Sequence, residues 1–167
     1  MNERAAADRA RPQAAPRATL LIAQDLVKNF YDGDREVRVL RGLNLQVNAG
    51  DTIAIVGESG VGKSTLLHVL GSLEVPTAGK VYFEGRDLFA LDARALAEFR
   101  NRRLGFVFQF HYLLPDFSAL ENVMMPGMIA RIPEKETRAR AAEMLAMVGL
   151  GDKLQRRPAE LSGGEQQ

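Results

Sequence analysis

The chain has 167 residues, of which 46% are hydrophobic and 26% charged, with a formal net charge of +1. That suits one ordinary globular core, and the charge is too balanced to draw nucleic acid or an anionic membrane by long-range attraction. No cysteine is present, so no disulfide framework is possible. No apolar run approaches the ~18 residues of a spanning helix, and the arginines scattered through 5–16 interrupt any secretory leader. Any membrane connection is therefore expected to run through another protein.

Residues 1–18, rich in Ala, Arg and Pro, have no periodic apolar face and read as a disordered tail. Leu20–Phe30 and Val37–Val47, the latter alternating through Val37, Val39, Leu43 and Leu45, predict two strands joined by a turn at Tyr31–Asp34. Thr52–Val56 predicts a compact strand running into glycines. Lys63–Leu73 predicts a helix with Leu66, Leu67 and Leu70 on its apolar side. A strand at Lys80–Phe83 and a turn at Glu84-Gly85 follow.

Asp92 is placed to cap a helix reaching about Arg103, with Leu96 and Phe99 facing inward. Leu104–Phe110 predicts another strand, and Ser118-Ala-Leu-Glu121 has the spacing of a capping box at a helix start. A last long helix is expected from Pro133, burying Ala141, Leu145 and Val148 and stopping at Gly149. Met124, Met125, Met128, Met144 and Met147 read as helix-packing core rather than an adaptable docking surface. This order suggests an α/β core with a helical insertion.

The sharpest signal is Gly57-Glu58-Ser59-Gly60-Val61-Gly62-Lys63-Ser64-Thr65, which fits the pattern G-x-x-x-x-G-K-[ST] between a predicted strand and a predicted helix. Glycines let the backbone curl so that several N–H groups converge on one phosphate. The helix start then aims its positive dipole end at the same anion. Lys63 supplies a mobile charge for the β- and γ-phosphates of ATP, and the Ser64 hydroxyl is a ligand for Mg²⁺. Thr65 can donate to the phosphate nearer the ribose. Lys63 is a candidate catalytic residue and Ser64 a candidate metal contact.

A phosphate loop alone admits kinases, GTPases and many ATPases. The segment Leu161-Ser-Gly-Gly-Glu165-Gln-Gln167 closely resembles the signature of the ABC ATPases, with Glu165 where many members carry Gln. That resemblance implies a P-loop NTPase fold with an antiparallel β-subdomain and a helical subdomain, over about 19–167. It implies a head-to-tail pair in which Ser162, Gly163 and Gly164 of one copy close on the γ-phosphate held by the other. Gln109, in Gly105-Phe-Val-Phe-Gln109, resembles the family's Q-loop glutamine, which reaches Mg²⁺ and the attacking water. Phe30, beside Tyr31, resembles the ring that stacks on adenine.

Within the family, Phe108–Val123 and Val56–Gly71 most resemble the subgroup that drives lipoprotein release, with MacB-type exporters and FtsE-type cell-division ATPases as close relatives. The implied partners are a second copy and integral membrane permease subunits, at the cytoplasmic face of a bacterial inner membrane, with no nucleic acid. Nucleic-acid ABC machines carry long coiled-coil or zinc insertions, which the short interval from Lys63 to Ser162 does not hold. A nucleotide-kinase-like enzyme is disfavoured by Leu161–Gln167. In the family a strand with an Asp and the catalytic Glu, then a switch His, follow the signature; His68 and His111 are not placed for that role. The expectation is the front part of a longer chain, poorly soluble and nearly inactive in ATP hydrolysis if expressed alone.

Overall fold

The computed structural model describes residues 17–167, so the expected tail lies almost wholly outside the described residues. The chain forms two compact units, one ending at Leu91 and one running from Asp92 to Gln167.

In the first unit, β1 (Thr19–Asp32) and β2 (Arg35–Asn48) pair antiparallel across the two-residue loop Gly33-Asp34. Gly33 takes φ +58°, as the primed hairpin turns require. β3 (Ala78–Phe83) pairs with the other edge of β1, and the short β4 (Arg86–Asp87) follows through the predicted Glu84-Gly85 turn, giving the order β2-β1-β3-β4.

Strict alternation would place Ala23 and Leu26 on opposite faces, yet both are buried. A bulge between them supplies the extra residue: Asp25 has φ +47°, and the β1–β2 and β1–β3 registers both shift there. Asn44 holds the bulge by accepting from the Asp25 N–H and donating to its carboxylate, each at 2.9 Å. Gly79 of β3 lies against it. A Cβ at Gly79 would fall 2.4 Å from the Asp25 carbonyl oxygen, and the residue sits at φ +87°.

α1 (Lys63–Leu70) buries Leu66 and Val69. Leu67 is 53% exposed, so the predicted Leu66–Leu67–Leu70 stripe is rotated toward Val69. The helix also stops three residues before the predicted Leu73. Ser72, at φ +56°, donates its N–H to the Val69 carbonyl, and Leu73 donates to that of His68. This paired Schellman closure ends the helix without glycine in the left-handed position.

Two predicted strands are not strands. Thr52–Val56 and Leu104–Phe110 run without ladder partners among the described residues. A strand is completed by inter-strand hydrogen bonds, which apolar content alone does not supply. Val56 and Val107 are 87% and 90% exposed. Phe106 and Phe108 instead stack on each other at 5.3 Å, with Tyr112 edge-on to Phe108.

The second unit is helical. α2 (Ala93–Arg103) is capped by the Asp92 carboxylate, which accepts from the Ala95 N–H at 2.8 Å, as expected; Leu96 and Phe99 are half-buried. α3 (Ala119–Ile129) starts at the predicted capping box, and α4 (Glu134–Met147) starts after Pro133, which is the cap rather than the first helical residue. Gly127 lets the two approach, since a Cβ there would fall 2.6 Å from the Thr137 methyl.

α4 ends in a Schellman closure at Gly149, φ +80°. The core is Ala119, Leu120, Met124, Ala141, Leu145 and Leu161. Val148, predicted buried, is 70% exposed; it is the C-cap residue of α4, beyond the helical turns that carry Ala141 and Leu145 into the core. Of the five methionines only Met124 is buried, while Met128, Met144 and Met147 are exposed; the packing expectation fails for those three, which no other element among the described residues covers.

Gly79→Ala combines a forbidden φ with a backbone clash and is expected to cost about 3 kcal/mol or more. Gly85→Ala, with a similar φ of +79° but nothing within 4 Å of its Cβ, is expected to cost about 1 kcal/mol. Urea denaturation of the two variants checks the difference; equal losses would contradict it.

Candidate functional site

Gly57–Gly62 leads into α1 as an exposed loop. Gly60 and Gly62 take φ +78° and +104°, a conformation that L side chains rarely adopt. Gly62 is required twice over, because a Cβ there would also lie 2.7 Å from a Val39 methyl.

Gly62 occupies the cap position of α1, and no side chain caps the helix. Leu66 donates to the Gly62 carbonyl at 2.8 Å. Among the described residues, however, nothing accepts the N–H groups of Lys63, Ser64 or Thr65. No acidic residue sits in this first turn. Its partial positive charge is therefore uncompensated by a cap or first-turn carboxylate among the described residues.

α3 makes the contrast. There Ala119 donates to Arg156 O (2.7 Å), Leu120 to Leu154 O (3.0 Å), Glu121 to Ser118 Oγ (3.3 Å) and Asn122 to Ser118 O (2.9 Å). α3 has every early donor satisfied, whereas α1 presents three to solvent.

Lys63 Nζ donates to the carbonyls of Gly57 (2.8 Å) and Glu58 (2.6 Å). Two of its three protons hold the loop closed around the ammonium, and the charge stays at the loop's mouth. The Ser64 side chain is exposed. Backbone donors, a lysine and a hydroxyl fit a polyphosphate carrying Mg²⁺. No cluster of three or more His, Cys, Asp or Glu among the described residues could hold a metal alone. A hydroxyl suffices for Mg²⁺, which keeps waters and takes its remaining ligands from phosphates.

Phe30 lies on β1 opposite Val37, with Lys28 Nζ 4.9 Å from its ring centroid. That ammonium is anchored by Glu74 (2.8 Å) and the Val75 carbonyl (2.9 Å). Tyr31 is the more exposed ring, at 70% against 39% for Phe30.

Gln109 belongs to the second unit. It is exposed, at a bend between Phe108 and Phe110, rather than at the end of a strand. The chain beyond it is pinned by Asn122, a residue the motif reading passed over. Asn122 accepts from the Leu114 N–H (2.8 Å) and donates to the carbonyls of Leu114 (3.2 Å), Phe117 (3.1 Å) and Ser118 (3.0 Å). The signal available in sequence was an amide side chain one helical turn after a capping serine, where it can satisfy loop backbone.

The Ser162-Gly163-Gly164 turn is anchored from both sides. Leu161 is buried in the helical core. After it, α5 (Gly163–Gln166) begins with Ser162 at its cap, whose N–H donates to the Glu165 carboxylate at 2.8 Å. Gln166 Nε2 donates to the carbonyls of Pro158 (2.9 Å) and Leu161 (3.0 Å). Lys153 pairs with the other oxygen of Glu165. The Lys153 ammonium first, and the Ser162 N–H second, hold the Glu165 carboxyl down at about 2. Ser162, Gly163 and Gly164 are exposed.

Residues 40–167 match the ABC transporter family model. The chain is 55% identical over 150 residues to the lipoprotein-releasing system ATP-binding protein LolD of Geobacter metallireducens, covering 90% of this chain and 67% of that one. It is 53% identical over 148 residues to LolD of Pseudomonas fluorescens, covering 89% and 65%. A solved dimer of the ATP-binding cassette MJ0796, bound to ADP and Pi, superposes with a TM-score of 0.79 at 35% identity, over 88% of this chain and 65% of that one. The chain thus spans about two thirds of the length of these relatives. With a phosphate loop, a signature turn and a cassette fold in one sequence, it belongs to the ABC transporter family, in the LolD-like branch.

Proposed function

We propose that the chain is the ATP-binding and ATP-hydrolysing part of an ABC transporter that releases outer-membrane-directed lipoproteins from the inner membrane. The observation that carries this is the uncapped start of α1 beneath the Gly57–Gly62 loop, with Lys63 at its mouth. The substrate class follows the LolD relatives at 49–55% identity.

In this reading the N–H groups of Lys63, Ser64 and Thr65 and of the loop residues Glu58, Ser59, Gly60, Val61 and Gly62 bind the phosphates of ATP. Lys63 exchanges its loop carbonyls for the β- and γ-phosphate oxygens. Ser64 holds Mg²⁺, which supplies charge neutralisation at the phosphates when bound. Phe30 stacks on the adenine. Gln109 orients the attacking water and contacts the metal, and the Asn122-pinned loop behind it limits where its backbone can travel.

The exposed Ser162-Gly163-Gly164 turn closes on the γ-phosphate held by a second, head-to-tail copy. The dimeric assembly of the cassette relative supports that arrangement. No helix among the described residues is long and apolar enough to cross a membrane. In this reading, which follows the LolD relatives, the coupling passes to integral permease subunits of the LolC/LolE kind, with this subunit peripheral on the cytoplasmic face of the inner membrane.

Two measurements on the full-length protein test this. Lys63→Ala removes the only mobile cation of the loop and is expected to weaken ATP binding at least about a hundredfold, as for a lost charge-assisted contact to phosphate; retained affinity in a fluorescent-nucleotide titration would contradict the phosphate-cradle assignment. Mixing tests the trans arrangement. Lys63→Ala and Ser162→Arg subunits are each expected to be inactive alone, while a mixed pair keeps one intact cradle facing one intact signature and recovers ATP turnover. No recovery from verified mixed dimers would contradict the head-to-tail reading.

A further inference from the structure

Lys153 lies nine residues before the signature turn, in the loop that leaves α4, and no phosphate-binding pattern includes it. Its ammonium pairs with the Glu165 carboxylate. The other oxygen of that same carboxylate accepts the Ser162 N–H at 2.8 Å. One carboxylate therefore joins a cation outside the turn to the first residue inside it.

The loop carrying Lys153 is itself fixed. Lys153 N–H donates to the Leu150 carbonyl, Arg156 N–H to that of Lys153, and the carbonyls of Leu154 and Arg156 accept the first two N–H groups of α3. The cation is thus tied to the helical core, where Leu150 and Leu154 also pack. Of the two glycines that follow Ser162, neither has any atom within 4 Å of an added Cβ. Among the described residues no other element packs against the glycines, and the turn is closed by its own Glu165 and Gln166 N–H groups, which donate to the Ser162 carbonyl at 2.9 and 3.0 Å. Its orientation rests on Leu161, on Gln166 and on this carboxylate.

We infer that Lys153 is a positioning residue for the signature: acting through Glu165, it sets the orientation in which Ser162-Gly163-Gly164 meets the γ-phosphate held by a second copy. The inference rests on the trans reading of the signature proposed above. Lys153 itself touches neither nucleotide nor reacting atoms, and it acts only through the charge at position 165. Losing it lets the turn reorient by a fraction of an ångström to an ångström, enough to lower turnover by an order of magnitude or more. The Gly57–Thr65 cradle binds nucleotide from its own subunit, so nucleotide affinity in the open state stays unchanged.

A double-substitution cycle in the full-length protein with its membrane partners tests this, with ATP turnover and ATP affinity measured separately. Lys153→Met is expected to lower kcat about tenfold with ATP affinity within about twofold of wild type. Lys153→Arg, which keeps the pair, should retain most of the turnover. In a Glu165→Gln background, where there is no carboxylate to hold, adding Lys153→Met should change kcat less than about twofold. An equal loss from Lys153→Met in both backgrounds, or no loss in either, would overturn the inference, as would a loss confined to ATP affinity. Ser162→Arg separates this from the parent reading. If it abolishes turnover while Lys153→Met has no effect, only the positioning role fails. If Ser162→Arg has no effect, the trans reading fails and the inference falls with it.

Discussion

Three backbone donors at the start of α1 have no acceptor among the described residues, and the local backbone is arranged so that they stay that way. A helix start normally finds a side-chain cap or a neighbouring carbonyl, as α2 does in Asp92 and α3 does in Ser118, Leu154 and Arg156. At α1 the cap position is a glycine, which offers no side chain. The preceding loop curls through positive φ values that deny ordinary residues a place there. The donors, the helix dipole and Lys63 then add in one direction. The chemistry that satisfies all of them is a multiply charged anion.

The second unit solves the opposite problem. In the proposed head-to-tail reading its signature turn is exposed to meet a partner, yet an exposed Gly-Gly turn is the kind of backbone that wanders. Anchorage comes from the flanks: Leu161 in the helical core on one side, Glu165 and Gln166 tied back to Lys153, Pro158 and Leu161 on the other. The low pKa of Glu165, near 2, has a consequence with a definite sign. Because the folded value lies below the ordinary carboxylate range, the pair contributes fully above about pH 4.5. Its contribution fades as pH falls toward 2. At physiological pH the tether is fully charged.

What could be read from the residues divides by the range of the interaction. Signals completed within a few residues were legible: the Gly33-Asp34 hairpin, the Asp92 and Ser118 caps, the Gly149 stop and the Gly57–Thr65 pattern. Each is written in the conformational and capping preferences of a few adjacent residues. Thr52–Val56 and Leu104–Phe110 carry strand-like apolar runs, but a strand depends on a ladder partner distant in sequence, and the runs alone could not say whether one is there. The end of α1 was overshot because Ser72, not a glycine, takes the left-handed position. The Asp25 bulge was missed because only Gly79, on another strand, reveals how close the backbones come.

The same division holds for the candidate site. Lys63, Ser64 and Ser162 stand out because the motifs name them. Asn122 and Lys153 do not, since their importance lies in which backbone groups or carboxylate they reach across a fold. Met128, Met144 and Met147 show the reverse error, where residue type suggested core and the fold leaves the side chains exposed.

The central claim is that open amide donors, not merely a lysine charge, grip the phosphates. Amide-resolved NMR of the full-length protein during Mg-ATP titration tests it most directly. The account predicts large shifts for the amides of Gly60, Gly62, Lys63, Ser64 and Thr65, and unmoved first-turn amides in α2. Saturating nucleotide that leaves the Lys63–Thr65 amides in place while shifting resonances elsewhere would contradict it.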